Sequence, residues 1–104
     1  MTAIKFDEEK PRTDLIPPEA LLEVAKIFGF GAKKYSDDNW RDGFGWRRLY
    51  GSILRHLFAW ATGESLDPET NSSHLAHACC GIMMLLTHEL LDLGEDDRWT
   101  NKKD

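Results

Sequence analysis

The sequence predicts an all-α protein: a small three- to four-helix bundle assembled as a homo-oligomer. Three observations carry this expectation. Apolar residues recur at helical spacing in three segments, near 18–28, 46–62 and 74–93. The last of these is apolar almost all round, which suits the inside of a bundle or an interface. The chain has 104 residues, and a domain of that size buries only roughly 60–65% of its unfolded surface. Three helices cannot enclose such a helix alone, so helices two and three are expected to pack against symmetry mates.

Taken in order, residues 1–13 are polar and read as an extended N-terminal arm. Residues 14–94 read as one helical domain and 95–104 as a charged tail that frays, with Trp99 a candidate anchor. Asp14-Leu-Ile-Pro17-Pro18-Glu19 opens the first helix, since proline is tolerated in the first turn and an acid there suits the helix dipole. Ala20, Leu21, Val24, Ala25, Ile27 and Phe28 form its apolar stripe, Glu19, Glu23 and Lys26 its solvated face, and Gly29 and Gly31 its end. Residues 29–46 then read as a long aromatic loop with one helical turn near 32–35. The second helix spans about 46–62, with Leu49, Ile53, Leu57 and Trp60 as its buried stripe and Trp46, Tyr50 and Ala61 alongside. Gly63 stops it, and an acidic loop follows. Ser72 or Ser73 caps the third helix, which runs from His74 to about Leu93 and stops at Gly94.

Composition excludes several classes. Four Trp, five Phe and two Tyr supply enough apolar mass for a core, against disorder. The longest apolar run, Ala78 to Leu86, is too short for a membrane span of about 20 residues, and the N-terminus shows no secretory h-region. Thirteen Lys and Arg against eighteen Asp and Glu give a net charge of −5, which disfavours a nucleic-acid polymer as partner. Cys79 and Cys80 are adjacent, a poor geometry for a disulfide, and read as reduced core thiols of a cytoplasmic protein.

Two constellations could carry chemistry. His74 and His77 stand at i and i+3 near a helix N-terminus, and the preceding loop brings Glu64, Asp67 and Glu69 beside them and His56. Imidazoles with carboxylates suit a divalent metal or a general base, the plainer reading being an internal hydrogen-bond network. Asp67, Glu69, His74 and His77 are the expected metal ligands, and His56, Asp67 and His77 the expected catalytic groups. The second constellation is aromatic and basic. Lys33, Tyr35, Asn39 and Trp40, with Lys10 and Arg12 of the arm and Arg55, are the expected nucleotide-binding residues, the plainer reading being core tryptophans and solvated cations. Glu19 with Glu23 reads more simply as a solvated face, while Arg47, Arg48 and Arg55 stay open between steering phosphates and plain solvation.

The run Lys10-Pro-Arg-x-Asp-Leu-Ile-Pro-Pro-Glu-Ala-Leu resembles a known family, as do Phe30-Gly-Ala-Lys-Lys-Tyr, Asn39-Trp40, Leu54-Arg-His56-Leu with Trp60, Gly63-Glu64, Asp67-Pro-Glu69 and Ser73-His-Leu-Ala-His77-Ala. The family is the bacteriophage dATP/dGTP diphosphohydrolase N-terminal type, and the likeness covers about residues 10–92. It is associated with the all-α NTP pyrophosphohydrolase superfamily, whose members resemble helical dimers or tetramers that use Mg²⁺ to cleave a nucleoside triphosphate to monophosphate and pyrophosphate. Only Glu64-x-x-Asp67 fits a piece of that superfamily's Glu-x-x-Glu and Glu-x-x-Asp cage, and helix three offers His74-x-x-His77 instead. A mixed His/carboxylate metal site, a metal-free nucleotide site and an inactive relative therefore stay open. The resemblance implies a phage pyrophosphohydrolase acting on a purine (deoxy)nucleoside triphosphate in the host cytoplasm, with Mg²⁺ or Mn²⁺, or Zn²⁺ given the histidines. The alternatives are a non-catalytic protein that sequesters a nucleotide or nucleotide signal, and a structural partner protein.

Overall fold

The computed structural model describes residues 2–100, so Met1 of the expected arm and 101–104 of the expected tail lie outside the described residues. Three helices carry the fold: α1 (Pro18–Lys34), α2 (Trp46–Ala61) and α3 (His74–Leu91). Short 3₁₀ turns cover Thr13–Leu15 and Asn39–Asp42, and no strand occurs among the described residues. The all-α expectation therefore holds.

α1 begins on Pro18 with Glu19 in its first turn, as the sequence suggested. It does not stop at Gly29 or Gly31 but runs on to Lys34. Each helical glycine costs about 1 kcal/mol relative to alanine. Continued packing on both sides of the pair offsets this: Phe28 joins the core and Ala32 is half-buried. The core itself is Val24 and Ile27 of α1 against Ala76 and Cys80 of α3, with Phe28 and Met84 at its edge.

α3 is the central helix, packed on both α1 and α2. Ser73 caps it, its hydroxyl accepting from the Leu75 N–H. The helix ends on Asp92 in the left-handed conformation rather than running to Gly94. Gly81 lets α2 approach closely: a Cβ there would meet Ile53. By length and composition α3 is long and apolar enough to cross a membrane, although its longest unbroken apolar run is short. Cys80 is buried, and burial pushes its thiol up to about 12. Cys79 is exposed, so only one of the two cysteines belongs to the core.

Other expectations are corrected by helix phase. Trp60 and Tyr50 lie on the outer side of α2 and are exposed, while Trp46, Leu49 and Ile53 are buried. Trp99 is also exposed and anchors nothing. The start of the tail is nonetheless held: Glu95 exchanges backbone hydrogen bonds with Trp46 and Phe44, and the Asp97 carboxylate accepts from the Arg47 N–H at the open end of α2. A carboxylate at a helix N-terminus satisfies an orphan donor and complements the dipole.

Candidate functional site

The loop between α2 and α3 is built to present one carboxylate. The Asp67 N–H donates to the Ser72 carbonyl, the Asn71 N–H donates to the Asp67 carbonyl, and the His74 N–H donates to the Ser65 carbonyl. Asn71 supplies the left-handed residue that this tight return needs, a conformation asparagine tolerates well. Asp67 Oδ1 accepts from the Glu69 N–H at 2.7 Å, an Asx turn. Its other oxygen, Oδ2, is thereby aimed inward, 3.8 Å from His56 Nδ1 and 3.7 Å from His77 Nε2.

His56 of α2 and His77 of α3 stack face to face, their centroids 4.5 Å apart and their planes 8° from parallel. One ligand atom from each of His56, Asp67 and His77 falls within 4.8 Å of the others. Two imidazoles and one carboxylate at that spacing form a mixed N/O donor set. It fits Zn²⁺ or Mn²⁺ better than Mg²⁺, which favours all-oxygen coordination.

Behind this triad lies a second layer. His74 is buried, its Nε2 lies 2.6 Å from Glu64 Oε1, and its Nδ1 lies 2.9 Å from His56 Nδ1. A carboxylate only accepts, so the His74 proton on that side sits on Nε2 and is donated to Glu64. When His74 carries that one proton, its Nδ1 accepts from His56 Nδ1–H, and the lone pair of His56 falls on Nε2. His56 Nε2 makes no hydrogen bond among the described residues and is not sealed in the core. His77 Nε2 lies 2.7 Å from the Thr70 hydroxyl, a partner that no motif in the sequence advertised. Burial lowers the pKa of His56 first, with His77 adding to the shift and Asp67 opposing it. Burial likewise lowers that of His77, again against Asp67. Both imidazoles are thus held in the neutral form that ligates metals and accepts protons.

The expected residues sort into three groups. His56, Asp67, His74 and His77 come together, with His56 at the triad and His74 behind it, in contact with Glu64 rather than with Asp67. Glu69 does not join them: it is exposed and pairs with Lys34 at 3.7 Å. Lys10 and Arg12 stay on the exposed arm, which is not fully extended: the Lys10 N–H donates to the Asp7 carbonyl in a turn, and Arg12 forks onto Asp14. Lys33 is exposed beyond the cavity, and Arg55 is exposed beside His56.

Tyr35, Asn39 and Trp40 do converge, on a cavity of about 480 Å³ that Phe28, Phe44, Leu49 and Met84 also line. Asp37 and Asp38 line it where the sequence suggested basic groups, and Asp38 pairs with Arg41 at 3.5 Å. Arg41 stacks over Trp40 at 4.7 Å, and Phe28 packs on its ring at 6.0 Å. Leu49 and His56 stand seven residues apart on α2, as do His77 and Met84 on α3. Cavity and triad are therefore separated by two helical turns, roughly 10 Å, along both helices.

The sequence profile of the family described as "dATP/dGTP diphosphohydrolase, N-terminal" matches residues 2–98. A protein named dATP/dGTP diphosphohydrolase, from Salmonella phage PMBT28, is 36% identical over 103 residues, which is 96% of this chain and 34% of the relative. The chain thus spans about a third of the length of that curated relative. No solved structure matches it. A profile match over nearly the whole chain, agreeing with the family-like residues of the arm, the α2–α3 loop and both histidine helices, places this chain in the dATP/dGTP diphosphohydrolase N-terminal family.

Proposed function

We propose that the chain is the nucleotide-handling part of a phage diphosphohydrolase that converts a purine deoxynucleoside triphosphate to its monophosphate and pyrophosphate. The observation that carries this reading is the His56–Asp67–His77 triad, with Glu64 and His74 behind it. The triad residues would hold a divalent ion. When bound, such an ion neutralises charge on the phosphates and makes water more acidic.

The chain's own residues do the rest. Asp67 presents one oxygen because its other oxygen is engaged by the Glu69 N–H. Glu64 and His74 fix the ring of His56 so that its Nε2 lone pair faces away from the network. The aromatic cavity takes the base against Trp40 and Tyr35, with Asn39 at its edge. Its distance from the triad is of the order that separates a base from its phosphates, and the Asp37 carboxylate in its lining offers an acceptor to a base bearing amino groups.

The test is incubation of the purified protein with each deoxynucleoside triphosphate and Mg²⁺, Mn²⁺ or Zn²⁺. Pyrophosphate release that disappears in Asp67→Asn is the expected result. No release with any metal removes hydrolysis from this chain. The second reading, a binding module without hydrolysis, is favoured by one fact: two thirds of the Salmonella phage relative lies outside the match. Calorimetry that shows tight nucleotide binding with the ligand recovered unaltered would select it.

A further inference from the structure

Two partners compete for one atom at the centre of the triad. The Thr70 hydroxyl oxygen lies 2.7 Å from His77 Nε2, the same ring nitrogen that faces Asp67 Oδ2 at 3.7 Å. An imidazole nitrogen offers one group in the ring plane, either a lone pair or a proton. The Ser72 N–H donates to the Thr70 oxygen at 3.3 Å, and the hydroxyl proton has no acceptor other than His77 Nε2 among the described residues. Thr70 therefore donates to His77 Nε2 and takes up its lone pair. The opposite polarity leads to the same end, since a protonated Nε2 has no lone pair to share. While this hydrogen bond stands, His77 Nε2 is closed to a further ligand.

The loop makes the arrangement local. The Asp67 N–H donates to the Ser72 carbonyl and the Asn71 N–H to the Asp67 carbonyl, so the segment that carries Thr70 is closed by its own backbone. The Glu69 N–H of the same segment holds the Asp67 carboxylate. Rotation about one side-chain bond is enough to swing the Thr70 hydroxyl off His77 without opening the loop.

We propose that Thr70 caps the triad of the ion-free chain, and that a divalent ion enters only by displacing its hydroxyl from His77 Nε2. The inference rests on the metal reading of His56, Asp67 and His77. Thr70 is a positioning residue that acts through His77 and is not a ligand itself. Breaking its hydrogen bond is a fixed cost, the same for every ion. The cap thus weakens the binding of all ions by one common factor, roughly 3- to 10-fold for a hydrogen bond of ordinary net strength. A hydroxyl that ligated the ion, or one that only oriented His77, acts with the opposite sign, because its loss weakens binding.

The test is calorimetric titration of the full chain with Mn²⁺ and with Zn²⁺. Thr70→Val keeps the shape of the side chain and removes the hydroxyl. It should bind both ions more tightly, by the same factor of about 3 to 10. Thr70→Ala repeats the loss with a smaller side chain, and Thr70→Ser, which restores the hydroxyl, should return the affinity towards that of the wild type. Nitrogen-15 shifts of the His77 ring in ion-free protein, at about pH 8 where imidazoles are neutral, need no metal: the Nε2 signal should move in Thr70→Val and return in Thr70→Ser. Equal or weaker ion binding by folded Thr70→Val and Thr70→Ala overturns the cap and leaves the triad an ion site. A gain that differs between the two ions, or an Nε2 signal that stays in place, overturns it too. No ion bound by wild type or variants overturns the triad reading and the cap together, whereas ions bound by the hydroxyl-free variants alone support both.

Discussion

His77 and His88 lie eleven residues apart on one helix, and their surroundings differ in every respect that bears on chemistry. His77 stacks on another imidazole, reaches a threonine hydroxyl and faces a carboxylate. His88 is fully buried among Trp40 and Phe44 rings, and its Nε2–H donates to the Trp40 carbonyl at 2.8 Å. Its Nδ1 has no hydrogen-bond partner among the described residues. One histidine is surrounded by groups that could share a ligand or a proton with it. The other pins the 3₁₀ turn beneath the aromatic cavity to α3. The comparison shows that residue type and helix phase do not assign a role to a histidine; the loop that folds over it does.

The largest effect that would sharpen this contrast is at Asp67. Asp67→Asn should weaken divalent-metal binding more than about 100-fold, because loss of a ligand costs more than loss of an outer-layer partner. The measurement is calorimetric titration with Mn²⁺ or Zn²⁺. Next comes His88→Ala, which should destabilise the fold by about 3 kcal/mol through the void left between Trp40 and Phe44. Urea unfolding reads that loss, and metal affinity should not change. If His88→Ala instead removed metal binding with the fold intact, the distinction between the two histidines would collapse.

A smaller effect is expected at Glu64, whose side chain is half exposed. Glu64→Gln should lower metal affinity by about 10-fold, since it loosens the hydrogen bonds that orient His74 and, through it, His56. The smallest effect is on pH dependence. Burial lowers the pKa of His56 and His77 in the fold, so the unfolded chain takes up those protons first as pH falls. The stability linked to this pair is whole above about pH 6.5 and drains away as pH falls from there through the lowered folded values. Urea midpoints should therefore drop between about pH 7.5 and about pH 5.5, and less so in a His56→Asn, His77→Asn double variant.

The helices and the histidine–carboxylate cluster were legible in the sequence, the contrast between His77 and His88 was not, and the misreadings have physical causes. The three helices and the gathering of His56, Asp67, His74 and His77 followed from apolar periodicity and the acidic loop that joins α2 to α3. The division of labour inside the cluster did not. Asp67 and Glu69 both follow α2 by a few residues, but an Asx turn aims Asp67 inward and leaves Glu69 in solvent beside Lys34. His74 and His77 share a helix face, yet His74 lies deeper and meets Glu64. Lys33 lies outside the aromatic cavity, since α1 continues past its glycines, and Asp37 and Asp38 are among the residues that line it. Backbone hydrogen bonds within a loop and the exact end of a helix both depend on packing with distant residues, which one-dimensional spacing does not encode.

Metal stoichiometry of the purified chain, measured by inductively coupled plasma mass spectrometry after equilibration with Mn²⁺ or Zn²⁺, reads out whether His56, Asp67 and His77 hold an ion. One ion per chain is expected, retained in His88→Ala and lost in His77→Ala and Asp67→Asn while circular dichroism still reports the three helices. Metal-free wild-type protein, or full occupancy in the folded His77→Ala variant, would contradict it.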